Sequence, residues 1–385
     1  MNNRYECVVI GGGVAGSTAA YHLSKLGHQV AVLEKTHGPH HKVCGEFLSF
    51  EAHTYLKEMG ILLDDDCPVI KYFKLFSRRS NAIFNFTFPG RGISRYKLDE
   101  DLLNNAKQAG AEVFRGICMV DYKKDAGSFK IETNKGDLYA RHVFMATGKH
   151  DYSKEHKRIG RDNSYIGFKT HIQLKYSSQV DKETTVLFTF PAGYAGICPV
   201  EGGVVNFCFV IKKAVYKTLH GDFNETIAFL RRSNHELDLV LQEADFNEQV
   251  CAVGYIPYGF ISSQNDHENV YFLGDQRMVI PSFTGDGMAI ALSTAKDCAH
   301  RFNEYQKGLK SKVKPMQREL KKQMRWARIG HTILKNPWLV DICAFIPALK
   351  SILIETIFNR TRISIKEDVE YGLQAAEFKN NYSRR

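Results

Sequence analysis

The run Cys7-Val8-Val9-Ile10-Gly11-Gly12-Gly13-Val14-Ala15-Gly16 decides the fold. Four apolar residues make a short strand. Gly11, Gly13 and Gly16 then follow as G-x-G-x-x-G, and Ala15, Ala19, Ala20, Leu23 and Leu26 continue at helical spacing to Gly27. The first glycine permits a tight turn, the second lets backbone approach a pyrophosphate, and the third lets helix pack on strand. The first helical turn, with Val14 and Ala15, offers free N–H groups and the positive end of the helix dipole to phosphates. His28 to Leu33 alternates as a second strand and ends at Glu34, where a carboxylate can accept from ribose hydroxyls and repels a 2′-phosphate. The expectation is a dinucleotide site that disfavours NADP, with Lys35 and Lys42 among its candidate residues.

Outward from this βαβ start, residues 36–49 read as loop and 50–60 as helix. Alternating stretches in 69–94 suggest paired strands. Leu98 to Ala109 reads as a helix, and 112–122, 128–133 and 142–146 as strands. Residues 165–212 are β-rich, 222–245 helical, and 250–257 and 270–273 extended. The economical arrangement is an α/β nucleotide-binding domain, Rossmann-like and three-layer ββα, interrupted by an antiparallel β-rich substrate domain and followed by a helical C-terminus. The expected boundaries are 1–60, 95–150 and 265–305 for the first unit, 61–94 and 151–264 for the second, and 306–385 for the third.

The bulk numbers suit a globular chain. Of 385 residues, 44% are hydrophobic and 24% charged, which argues against wholesale disorder. Nine cysteines are scattered without a C-x-x-C pair, the pattern of reduced thiols in a cytoplasmic protein rather than a disulfide framework or zinc site. His40 and His41 are adjacent, have no partner at metal-ligand spacing, and read as solvent- or phosphate-facing. No signal peptide and no spanning helix are expected.

A second glycine-rich stretch lies far along the chain. Val270 to Phe272 reads as a strand and leads to Gly274-Asp275, a loop at Pro281, and Gly285-Asp286-Gly287-Met288 opening a helix. An aspartate at a strand end can hold ribose-type hydroxyls, and a glycine-opened helix can face the electron-rich end of a reduced isoalloxazine. This stretch resembles the GD motif of the p-hydroxybenzoate-hydroxylase-like flavoproteins. Arg95 and Asp99 match that superfamily's R-x-x-hydrophobic-D-x-x-L helix pattern. Ala146-Thr147-Gly148 resembles its strand-end segment, with Thr147 where the usual acid would stand. The resemblance covers about residues 5–300 and implies FAD as cofactor.

Within that superfamily the chain resembles the geranylgeranyl-reductase-like group. Lys42-Val43-Cys44-Gly45-Glu46 is similar to its Cys-Gly segment, whose cysteine lies by the flavin ring. Cys44 is thus a catalytic candidate that would contact substrate or tune the ring, or else a plain loop thiol. Pro191, Tyr194 and Pro199 match the group's P-x-x-Y-x-W-x-F-P signature and make Tyr194 the second catalytic candidate, the alternative being a buried sheet tyrosine. Gly196 and Cys198 replace two large aromatics, which implies more volume and a ligand of different shape. Flavin-dependent halogenases carry W-x-W-x-I-P, which Trp326 and Trp338 do not form.

The resemblance implies an FAD-dependent oxidoreductase for a hydrophobic small molecule, isoprenoid, lipid or polyketide-like, by C=C reduction or desaturation at the flavin. A hydroxylating monooxygenase and a non-catalytic flavin-binding module stand as alternatives. No second G-x-G-x-x-G is present, so NAD(P)H is expected only as a transient electron donor.

The net charge of +10 is concentrated. Lys307 to Lys335 holds ten Lys/Arg against Glu319 alone. With Pro337-Trp338-Leu339-Val340 and the aliphatics after it, this segment reads either as a helix packed over the catalytic domains or as a peripheral contact with an anionic membrane through 307–358, on the inner face. Nucleic acid is not expected as a partner.

Overall fold

The structure is a computed structural model and describes residues 3–78, 80–151, 157–174, 180–246, 249–262, 269–310, 317–336, 338–341, 356–357 and 359–363. Eight helices are named here: α1 (Val14–Lys25), α2 (Phe50–Glu58), α3 (Arg95–Gln108), α4 (Lys213–Thr218), α5 (Phe223–Ser233), α6 (His235–Gln242), α7 (Gly287–Gln306) and α8 (Gln317–Leu334).

The strand Arg4–Ile10 lies at the centre of a seven-stranded sheet. It pairs in parallel with Val30–Glu34 on one side and Gly136–Met145 on the other. Glu112–Arg115 and Val270–Phe272 extend the parallel part, and Ser128–Thr133 and Met119–Asp125 add antiparallel strands. Both faces of the central strand are covered, which is why its run is apolar throughout. Cys7 and Val9 pack with Ala19, Leu23 and Phe302 of α1 and α7, while Val8 and Ile10 pack with Phe129, Ile131 and Leu138. Helix, sheet and antiparallel layer give the expected ββα arrangement.

The second sheet has nine strands and is mixed. Its backbone is the meander Tyr165–Leu174, Val205–Lys212, Gly193–Pro199 and Thr184–Phe190. Val69–Phe76 joins the last of these in parallel, so the antiparallel expectation is corrected at that pair, where a long crossover replaces a hairpin. Phe47–Leu48 pairs with Gly92 and Arg91, so part of the loop expected in the first unit joins this sheet. One face is apolar: Phe168, Phe207, Phe209 and Ile211 pack against Leu230, Leu237 and Val240 of α5 and α6. Period-two alternation therefore sends Lys169, His171, Asn206, Cys208 and Val210 to the other face.

Local capping sets several boundaries. The Ser94 hydroxyl accepts from Lys97 N at 3.1 Å, which starts α3 at Arg95, three residues before the apolar periodicity. The helix expected over 222–245 is two. Asn234 is extended, ends α5, and its side chain caps α6 at Leu237 N (3.1 Å). Its amide also donates to Phe76 O and Thr189 O, fixing the helical corner to the sheet.

Helix α8 packs its Leu320, Met324 and Ala327 stripe into the core that includes Leu98, Met288 and Leu292. The covering helix read from the sequence is thus present. No helix among the described residues is long and apolar enough to cross a membrane.

Candidate functional site

The first glycine turn is as tight as its spacing requires. A Cβ on Gly16 would stand 1.8 Å from Gly11 O, and Gly11 itself has φ 104° and lies against Ala146 O. Gly13 caps α1 without a side-chain hydrogen bond. Around it converge Lys42 Nζ, Arg95 and Asp99, at 3.4, 3.7 and 3.7 Å from where a Gly13 Cβ would lie. Asp99 Oδ2 accepts from Lys42 Nζ (2.7 Å) and Arg95 Nη2 (2.8 Å), and Oδ1 from Arg95 Nε (2.7 Å). Burial pushes the Asp99 carboxyl up, but the two cations outweigh it and hold it below the usual range. Lys42 and Arg95, both held by Asp99, stand at the bare helix N-terminus, which fits a pyrophosphate.

Glu34 ends its strand buried. Its Oε2 accepts from Gly12 N (2.8 Å), and its Oε1 from the backbone and hydroxyl of Thr36 (2.9 Å each). Burial raises this carboxyl, yet Lys42 and these donors keep it depressed and ionised. Lys35 beyond it is exposed.

The second stretch folds onto the first. Gly274 has φ 55°, and a Cβ there would meet Ala15 Cβ at 2.9 Å, so the strand-end turn and α1 touch. Asp275 is partly exposed, with Lys149 Nζ 4.0 Å away and Arg158 donating to its carbonyl. Gln276 donates to Thr147 Oγ1, Gly148 O and His150 O, tying the A-T-G segment to the GD turn. Gly285 has φ 71°, and its missing side chain leaves room for the Phe47 ring. Gly287 opens α7 with no atom within 4 Å of an added Cβ. Met288 is buried in the core beside it. Asp286 faces inward instead, where Arg362 Nη1 donates to its Oδ1 at 2.7 Å. Asp286, read from the sequence as part of the cofactor-facing turn, directs its carboxylate to this cation, as a fully buried carboxylate does.

Between the two turns runs Cys44-Gly45-Glu46-Phe47. Cys44 is partly buried, and its carbonyl accepts from Asn206 Nδ2 at 3.1 Å. Tyr194 is buried on the second sheet, and its hydroxyl shares Ser282 Oγ with that of Tyr258, at 2.8 and 2.6 Å. Burial pushes the Tyr194 phenol well above its ordinary value, so it stays protonated at neutral pH. It is joined to the Pro281–Gly285 loop rather than free.

Four further residues had drawn no functional reading. Glu46 has φ 56°, an uncommon conformation for a non-glycine residue, and its carboxylate is fully buried. Lys169 Nζ lies 3.2 Å from Glu46 Oε1, and His171 Nε2 lies 2.6 Å from Oε2. Lys169 Nζ also donates to His41 Nδ1 at 3.0 Å, and the His41 and His171 rings meet edge to face. His41 therefore faces this cluster, not solvent or phosphate alone. His41, Glu46 and His171 offer ligand atoms within 4.8 Å of one another, but the Lys169 ammonium already stands among them as the cation. The visible signal was Lys169 and His171 two apart in a largely apolar strand.

Comparison with known proteins adds to this geometry. The FAD dependent oxidoreductase family matches residues 6–44. Digeranylgeranylglycerophospholipid reductase 2 of Methanopyrus kandleri is 25% identical over 308 residues, covering 75% of this chain and 74% of that one. The geranylgeranyl bacteriochlorophyll reductase-like protein of Thermoplasma acidophilum superposes with TM-score 0.70 at 21% identity, over 97% and 96% of the two chains. The flavin-dependent brominase Bmp2 gives TM-score 0.78 at 16% identity, over 98% and 100%. The chain spans about half the length of an uncharacterized protein of Methanosarcina barkeri and about a third of a menaquinone reductase of Mycolicibacterium smegmatis. Two glycine turns that meet at Ala15 and Gly274, a cationic pair at the first, and these likenesses agree: the chain is similar to FAD-dependent oxidoreductases, geranylgeranyl-reductase-like proteins among them.

Proposed function

We propose that this chain reduces a C=C bond in a hydrophobic small molecule, isoprenoid, lipid or polyketide-like. The observation that carries the reading is the composition of the sheet face turned toward Pro281–Gly285. Phe73, Leu75, Leu187, Tyr194 and Val210 form an apolar half, covered in this structure by Val279, Leu334 and Val340, which a substrate would have to displace. Gly196 lies between Leu187 and Cys208 across the paired strands, so a small floor separates that half from the polar one. An apolar body with one polar end fits such a surface.

Bound FAD would supply the hydride at its ring nitrogen. The chain's own residues do the rest. Lys42, Arg95 and the N-terminus of α1 would hold the pyrophosphate, with Val14, Ala15 and Gly16 in that first turn. Glu34 and Asp275 would take ribose-type hydroxyls. The turn of Gly285 and Gly287 would lie against the ring, and Phe47, packed on Gly285, would help to exclude water. Cys44 would sit beside the reacting carbon. NAD(P)H is proposed as a transient donor.

The test is anaerobic. FAD-loaded protein is photoreduced and mixed with β-ionone, an isoprenoid enone, or with geranylgeraniol. Flavin reoxidation with formation of the saturated product is expected. A long-lived oxygen adduct on aeration, without anaerobic turnover, would instead identify a monooxygenase. No spectral response to either compound or to oxygen would leave a flavin-binding module.

A further inference from the structure

We infer that Glu46, Lys169, His171 and His41 form a proton relay that feeds the substrate face, with His171 as the terminal donor. This deepens the reductase reading and rests on it. Addition across C=C needs a hydride at one carbon and a proton at the other, and the flavin accounts only for the hydride.

The placement is specific. Arg95 N donates to Glu46 Oε1 at 2.8 Å, and the Arg95 guanidinium borders Gly13. The next residue, Phe47, touches Gly285. Glu46 therefore lies between the phosphate turn and the turn opening α7, where cofactor and substrate sheet meet. Its αL backbone is a strain retained at that point.

The four groups are bonded in sequence and folded into a compact cluster, so that the His41 and His171 rings also touch. A lysine only donates, so His41 Nδ1 accepts and its own proton is on Nε2. The chain runs His41, Lys169, Glu46, His171, with contacts of 3.0, 3.2 and 2.6 Å. Its outer end is partly exposed, since His41 stacks near Tyr96, which is 46% exposed. Its inner members are buried: the side chains of Lys169, Glu46 and His171 are 1%, 0% and 5% exposed. Burial of so many titratable groups has to be repaid by pairing, and a hydrophobic trio would stabilise at least as well.

Other groups facing the cluster do not compete. Cys198 and Cys208 from the second sheet are pushed up by burial, Cys208 to about 12, and Cys251 is raised likewise. These thiols stay neutral. Cys44, Tyr96 and the backbone of Arg95 also border the cluster. Burial raises Glu46, but His171 and Lys169 outweigh it, so the carboxylate is ionised and can pass a proton without holding it.

The step balances. The hydride, with its electron pair, forms a C–H bond at the substrate carbon next to the flavin as the C=C π bond breaks. The opposite carbon takes a proton from protonated His171, at the ring nitrogen that does not bond Glu46. His171 is reloaded by Lys169 through Glu46, and Lys169 from solvent through His41. A two-electron donor, NAD(P)H or a reduced carrier protein, would have to restore the reduced cofactor.

The test uses full-length, FAD-loaded, photoreduced protein and β-ionone as probe, in H₂O and D₂O from pH 6 to 9. The wild type is expected to slow in D₂O and as pH rises. Glu46→Gln and His171→Gln are each expected to lower the rate by roughly 100-fold, the usual span of general acid catalysis, and to flatten the pH profile. Their reoxidation by ferricyanide, which takes electrons without protons, should be unchanged. Variants that keep the wild-type pH profile and solvent isotope effect overturn the relay. If Lys169→Met does not fold, the charge-balanced Lys169→Met/Glu46→Gln double variant gives the same reading. If the wild type leaves β-ionone untouched, the reductase reading fails by itself. The relay is then decided by ¹⁵N-histidine NMR of the same protein: His41 and His171 titrating together, and separately in Glu46→Gln, supports it, whereas independent titration in the wild type overturns it.

Discussion

Arg362 Nη1 donates to Asp286 Oδ1 at 2.7 Å, so a residue near the end of the described chain closes on the turn that opens α7. Asp286 is fully buried, and burial pushes its carboxyl up to about 6 although Arg362 pulls it down. Because the folded value lies above the ordinary 3.8, this group's contribution is present below about pH 3.8 and lost as pH rises through about 6. A shift of this size corresponds to roughly 3 kcal/mol. Asp286→Asn should therefore flatten the fall in stability between pH 4 and 6. Arg362→Leu should lower Tm more at pH 8 than at pH 5, since it leaves an uncompensated buried charge only where Asp286 is ionised. Equal loss at both pH values in thermal melts would refute this.

Three other carboxylates work in the opposite direction. Glu34, Glu46 and Asp99 are all held below their ordinary values. Each contributes stability above its unfolded value, near 4.5 for the glutamates and 3.8 for the aspartate, that is lost as pH falls. Acid unfolding below about pH 4 should be blunted in Asp99→Asn, which starts less stable. FAD release, followed by fluorescence, should precede loss of helical circular dichroism, since Asp99 orients Lys42 and Arg95 at the phosphate turn.

Gly13 and Gly16 separate binding from folding. Gly16→Ala drives a Cβ to 1.8 Å from Gly11 O, a backbone clash that cannot relax, and should cost on the order of 4 kcal/mol or more. Gly13→Ala meets only side-chain ends, of Lys42 at 3.4 Å and of Arg95 and Asp99 at 3.7 Å, and should fold. It should nevertheless bind FAD at least about tenfold more weakly, because the methyl occupies the path to the pyrophosphate. The ratio of flavin to protein absorbance, beside the Tm, reads both. A Gly13→Ala protein as yellow as wild type would remove this glycine from the cofactor site.

These contrasts mark what was legible in the sequence. Gly11, Gly13, Gly16 and Glu34 could be read because a tight βα turn is local, and its chemistry lies in residues a few positions apart. The doubly covered first sheet followed from the unbroken apolar run at Cys7–Ile10. The break at Asn234 was hidden, because residues on both sides share one apolar helical pattern and only the cap with its sheet contacts divides them. Asp286 hid its partner for a related reason. Its neighbours Gly285 and Gly287 mark a ligand-facing turn, but its partner lies 76 residues later. The Glu46 cluster was least visible, since its members come from a loop and a strand more than 120 residues apart.

Tyr194 links the second sheet to the loop before α7 through Ser282, and Tyr258 shares that acceptor. Its phenol is too strongly raised by burial to act as a base near neutral pH. Tyr194→Phe should cost about 1 kcal/mol of stability, the net worth of one hydrogen bond, and leave the pH profile of turnover unchanged. An effect on KM or on the flavin spectrum is expected through the Ser282 loop. A new ionisation in the profile would show instead that the hydroxyl takes part in proton transfer.

The basic C-terminal region has two faces, and α8 makes them separable. Leu320, Met324 and Ala327 are buried against the core, while Arg318, Lys321, Lys322 and Arg325 are exposed on the other side. Ile329 and Trp338 add exposed apolar surface at 40% and 59%. The residues from 342 to 355, which the sequence reading included in a membrane contact, lie outside the described residues. The exposed cations alone predict reversible binding to vesicles containing phosphatidylserine, at roughly 1 kcal/mol per basic residue near the surface. Co-sedimentation should occur at low salt and be lost at about 0.5 M, where the Debye length shrinks to a few ångströms. Lys321→Glu/Lys322→Glu/Arg325→Glu should abolish it without lowering FAD content, because none of the three supports the buried stripe. If wild-type protein stays in the supernatant at low salt, α8 acts solely as a cover for the core, and a lipid-dissolved substrate would have to reach the apolar sheet face by another route.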